Sequence, residues 1–118
     1  MIEFFHITHG WRKPMTKEYE IGLNLLRKVN QELEKLLNVE DRLTARRIVN
    51  SIINPITAST YQIRVGDGPR REEFLEVLLK LLKEVRDLSD IEAMKESVEK
   101  LLQLLKEVEA ASVEKKES

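Results

Sequence analysis

The sequence predicts a mainly α protein: a compact bundle of four helices in two pairs, with a minor two-stranded β element. Three observations lead there. Charged residues make up 35% of the chain, against ~25% in an average globular protein, while Gly (4) and Pro (3) are scarce. Four segments repeat apolar residues at the spacing of one helix face. Two short runs, 2–8 and 60–65, are rich in aromatic and β-branched residues, as strands are. At 118 residues the chain makes one domain. Residues 1–112 form it, and residues 113–118, with nothing to bury, read as a frayed tail.

The elements follow in chain order. Residues 2–8 read as the first strand, and Gly10 and Pro14 break regular structure after it. Thr16 is a candidate N-cap for a helix over 17–37, whose stripe runs through Tyr19, Leu23, Leu26, Leu33 and Leu36. Asn38 ends that helix and is a candidate cap for the next. A second helix spans 40–53, with Ala45, Ile48, Val49, Ile52 and Ile53 on one side. Asn54-Pro55 is read as its stop, because the residue before proline avoids helical geometry. Residues 60–65 then alternate as a second strand, and Gly66-Asp67-Gly68-Pro69 forms a turn. Pro69 suits the first position of a helix over 69–88, with Asp67 or Gly68 as its cap. Ser89-Asp90-Ile91-Glu92 reads as a capping box opening a helix over 90–111. The two halves echo each other as strand, glycine turn and two helices. Long amphipathic helices resemble one another by chance, so four helices plus two strands is the plainer reading.

Composition excludes several function classes. The chain has no cysteine, which rules out a disulfide framework, a thiolate metal site and a cysteine nucleophile. Its apolar runs are too short to span a membrane, and the start lacks the pattern of a signal peptide, so a cytoplasmic protein is expected. His6 and His9 lack an evident third ligand, so neither metal nor cofactor is expected. No Ser, His and carboxylate arrangement marks catalysis, and the expected function is non-catalytic. Abundant Lys and Glu with few Asn (5) and Gln (3) lean towards a thermophile composition.

A net charge of −1 hides an asymmetry. Residues 1–71 hold 12 Lys and Arg against 8 Asp and Glu; residues 72–118 hold 8 against 13. Eight of nine arginines precede residue 72. Arginine presents a fork suited to phosphate, whereas Lys/Glu alternation is the usual solvated helix surface. Arg12, Lys13, Arg42, Arg46, Arg47, Arg64, Arg70 and Arg71, with Trp11 and Tyr61 interleaved, are therefore the candidate nucleic-acid contacts. The competing reading pairs these arginines with Glu on neighbouring helices. Gly66-Asp67-Gly68, with Arg70 and Arg71 beside it, is a candidate phosphate cradle or simply a turn. Leu75, Val77 and Leu79 widen the apolar surface of their helix beyond one core and are the candidate interface to a partner or a second copy.

The size, helical content, small β insertion, basic face and thermophile-like composition resemble the small helical subunits of archaeal CRISPR interference complexes. That resemblance is architectural and carries no diagnostic motif. It implies a non-catalytic accessory subunit in antiviral defence, one that docks on protein subunits of a larger complex and holds single-stranded DNA or RNA by its backbone. Two other readings stand beside it. One is a protein–protein adaptor or a viral or plasmid-encoded regulator without nucleic-acid contact. The other is a small enzyme acting on a phosphorylated ligand at Gly66–Arg71.

Overall fold

The computed structural model describes residues 14–117 and the side chains of residues 14–110. The described chain is five helices: α1 Lys17–Lys28, α2 Asn30–Leu36, α3 Arg42–Val65, α4 Arg71–Asp87 and α5 Ile91–Glu117. The mainly α expectation holds. The β element does not: no strand occurs among the described residues, and residues 60–65 are the last turns of α3. The other expected strand, 2–8, lies outside the described residues.

Helices α1 and α3 pack along each other, α3 packs on α4, and α4 on α5. Helix α2 touches both α3 and α5, which closes the bundle into a ring. The expected helix over 17–37 is interrupted at Val29, whose amide bonds Leu26 O at 3.2 Å in place of the i−4 carbonyl. Val29-Asn30 joins two residues of modest helix propensity. That interruption lets α1 lie along α3 while α2 reaches α5. No helix among the described residues is long and apolar enough to cross a membrane.

Pro55 sits inside α3 and does not end it. A proline in a helix interior removes one ladder bond and costs ~3 kcal/mol. The inward stripe explains why the helix continues. Ala45, Val49, Ile52, Ile56, Ser59 and Ile63 are all buried, at helical spacing on both sides of the proline. Each fully buried Val or Ile contributes ~1.5–3 kcal/mol, so the apolar residues on either side outweigh the break. The alternation in Thr60-Tyr61-Gln62-Ile63-Arg64-Val65 is real, but Thr60 and Ile63 belong to the longer stripe.

The N-terminus of α1 is braced against the turn after α3. The Thr16 hydroxyl accepts the amides of Tyr19 (3.2 Å) and Asp67 (2.9 Å), and the Thr16 amide donates to Asp67 O at 2.9 Å. Tyr19 is fully buried, edge-on to Phe74 at 6.3 Å, and its hydroxyl donates to Pro69 O. A Cβ on Gly68 would fall about 2.5 Å from the Tyr19 ring, so only glycine lets the turn lie against it. Farther along, Gly22 lets α1 and α3 touch: Ser59 Oγ donates to Gly22 O at 2.9 Å, and a Cβ there would fall 2.7 Å from Ile63.

Three caps differ from expectation. Asp41, not Asn38, caps α3 through the Thr44 amide at 2.8 Å. Asp90, not Ser89, caps α5 through the Ala93 amide at 3.0 Å. The chain enters α4 through Arg70 in the left-handed region (φ 62°), so Pro69 is not the first helical residue and neither Asp67 nor Gly68 caps it.

Replacing Pro55 with Ala restores a ladder amide in a helix whose stripe is already continuous. Thermal or urea unfolding of Pro55→Ala should show a gain of about 1–3 kcal/mol. An unchanged or lowered midpoint would mean that the packing of α3 requires the proline.

Candidate nucleic-acid interface

The arginines divide into two groups with different work. Arg42 and Arg46 are one turn apart on α3 and both reach the C-terminal end of α4. Arg46 donates to Val85 O (3.0 Å) and Arg86 O (3.1 Å), and Arg42 donates to Asp87 O (2.8 Å). The last carbonyls of a helix lack intrahelical partners and carry the negative end of its dipole. The two guanidiniums satisfy three of them in sequence, just before the chain turns at Leu88 (φ 53°). Arg71 does the same at the end of α3. It donates to Arg64 O at 2.6 Å and Gly66 O at 3.0 Å, and pairs with Glu72. Arg70 pairs with Glu73 and reaches Glu107 on α5 at 2.5 Å. The hydrogen bonds that it donates to Glu73 and Glu107 hold its guanidinium more firmly charged, and the first of these lowers the Glu73 carboxyl. Arg27, not among the candidates, ties α1 to α5 through Glu109 at 2.7 Å. Arg42, Arg46, Arg70 and Arg71 are thus placed as structural clamps.

Arg47 and Arg64 face solvent instead, Arg47 near enough to Asp41 to lower its carboxyl further. Both lie on the outer face of α3 with Asn50, Asn54, Thr57, Ala58 and Tyr61, all exposed, and Tyr61 is 62% exposed. That face has no carboxylate: residues 42–66 contain no Asp or Glu in a chain that is 35% charged. From Arg47 to Arg64 it runs ~26 Å, about the rise of seven or eight stacked nucleotides in one strand. Residues 60–65 taken as a strand would leave Tyr61 and Arg64 off this helix, whereas they lie in its last turns. The carboxylate-free stretch was the sequence signal that would have drawn Asn50, Asn54 and Thr57 into the site.

Other expected residues fall elsewhere. Trp11, Arg12 and Lys13 lie outside the described residues, as do His6 and His9. The Gly66–Gly68 turn does not present an open cradle. Its three amides donate to Gln62 O, Thr16 Oγ1 and Asp67 Oδ1. Leu79 is exposed and Leu75 half-buried, whereas Val77 is buried and belongs to the core. Among the described residues, no group of three or more His, Asp or Glu is placed to hold a metal ion.

These assignments separate two neighbouring arginines. Arg46→Glu sets a carboxylate against the carbonyl end of α4 and should cost about 1–3 kcal/mol of stability in urea unfolding. Arg47→Glu, at a solvated position, should change stability by less than about 0.5 kcal/mol. Equal losses would contradict the division.

No protein-family model matches the chain, and no curated protein or solved structure matches it either.

Proposed function

We propose that the chain is a non-catalytic, cytoplasmic accessory subunit of a nucleoprotein assembly, meeting a nucleic-acid backbone along the outer face of α3. The observation that carries this reading is the carboxylate-free face itself, with Arg47 and Arg64 exposed towards its ends and Tyr61 exposed between them. Arginine at two points binds phosphate, and the Asn and Thr side chains between them donate to phosphate and sugar oxygens. Tyr61 offers a ring on which a base of a single strand can stack. The resemblance to small helical subunits of CRISPR interference complexes is the specific form of this proposal.

The arrangement implies weak binding by the isolated chain. Two phosphate contacts on a single strand give a salt slope of about −1.4, or roughly a sevenfold loss between 50 and 200 mM salt. Within an assembly, effective concentration makes such a contact sufficient.

A second reading, the protein–protein adaptor, is favoured by the engagement of Arg42, Arg46 and Arg71 on helix carbonyls. Those arginines have a structural reason to be present, which leaves fewer that call for a polyanion.

Fluorescence anisotropy with labelled single-stranded DNA, single-stranded RNA and duplex DNA separates the two. The proposal expects a single-strand signal at low salt that falls with salt and is lost in Arg47→Glu/Arg64→Glu, with the melting temperature unchanged. Absence of a signal at low salt, or a signal indifferent to that double variant, favours the adaptor.

A further inference from the structure

Helices α3 and α4 leave a shallow groove beside the outer face just described. Its floor is Val49, Ile53, Leu82 and Val85, with Arg46 and Arg86 at one end. At about 260 Å³ and open to solvent, it falls below the ~300–1,000 Å³ of a typical small-molecule pocket. It does continue along the helices. Leu75, Leu79, Leu82 and Arg86 fall at i, i+4, i+7 and i+11 and share one face of α4. Leu79 is 46% exposed there, in line with half-buried Leu75 and Leu82.

The charge of the lining sets this groove apart. Two other surface hollows, between α4 and α5, mix Lys with Glu or Asp in their walls. This one has two arginines and no carboxylate. Arg46 is also fixed in place, because the carbonyls of Val85 and Arg86 hold its guanidinium. Its position is therefore set before any ligand arrives, and such preorganisation lowers the ordering cost of binding.

From these features we infer that the α3–α4 groove is a docking site for an acidic amphipathic helix of a partner protein. Leucine-type side chains of that helix lie over Ile53, Leu79 and Leu82, and its flanking carboxylates meet Arg46 and Arg86. An apolar strip read by residues one helical turn apart is the helix-in-groove mode of recognition. A phosphate backbone would gain nothing from the apolar floor, whereas a helix uses both the floor and the arginines. The inference does not rest on the nucleic-acid reading, since the groove and the outer face of α3 share only Asn50 at their border, and neither reading depends on it.

The test uses the full chain and a labelled synthetic helical peptide of about 18 residues, five turns, with Leu at i, i+3, i+4 and i+7 and Glu on the flanks. A scrambled peptide of the same composition and a Lys-flanked version are the controls. The acidic amphipathic peptide should bind, with the scrambled and Lys-flanked versions weaker by about tenfold or more. Leu79→Glu and Arg86→Glu, both at exposed positions, should each weaken it about tenfold, with unchanged melting curves showing that the variants fold. Arg86→Glu should also narrow the preference for Glu over Lys flanks. Failure of the peptide to bind, equal binding of the scrambled peptide, or indifference to both variants overturns the inference. Displacement of the peptide by single-stranded DNA, lost in Arg86→Glu but kept in Arg47→Glu/Arg64→Glu, would give the groove to nucleic acid and overturn it too.

Discussion

The geometry of this bundle depends on guanidiniums seated on the carbonyl ends of neighbouring helices. Arg42 and Arg46 of α3 bind the last carbonyls of α4, and Arg71 of α4 binds the last carbonyls of α3. Apolar burial drives the two helices together but leaves them free to slide, because dispersion and hydrophobic contacts have little directionality. A forked donor on a fixed carbonyl has direction. With one clamp at each end, the α3–α4 hairpin has a set register. The outer face of α3 and the groove between the helices are both consequences of that register.

A second brace fixes α1 on the same hairpin. Thr16, Tyr19 and Gly68 form one unit in which a cap, a buried ring and a turn without side chain meet. Burial pushes the Tyr19 phenol up, so it stays protonated and keeps donating to Pro69 O. The glycines that looked like a phosphate cradle therefore serve packing. Their amides are engaged, and their missing side chains admit Thr16 and Tyr19.

Much of the fold could be read from the residues alone. The spacing of Tyr19, Leu23, Leu26, Leu33 and Leu36, and of Ala45, Val49 and Ile52, points them to the core, and all are buried. The errors came where a local rule competed with burial. Asn54-Pro55 is a sound stop signal by backbone sterics, yet the stripe through Ile56, Ser59 and Ile63 carried the helix past it. Arginine raised a different difficulty. The same fork suits a phosphate and a helix end, and only the placement of a second helix decides which one it meets. Arg46 and Arg47 are adjacent in sequence, about a hundred degrees apart round the helix. One meets α4 and the other meets water. No single-residue property distinguishes them, so the clamp role was out of reach before α4 had a position.

The central claim is that the clamps and the arginines that meet nucleic acid are separate sets. Side-chain NMR of the arginine Nε–H groups, recorded before and after adding a single-stranded oligonucleotide at low salt, tests it most directly. The account predicts slow solvent exchange and unmoved resonances for Arg42, Arg46 and Arg71, with shifts confined to Arg47 and Arg64. Shifts concentrated at Arg42, Arg46 and Arg71, with Arg47 and Arg64 unmoved, would contradict it.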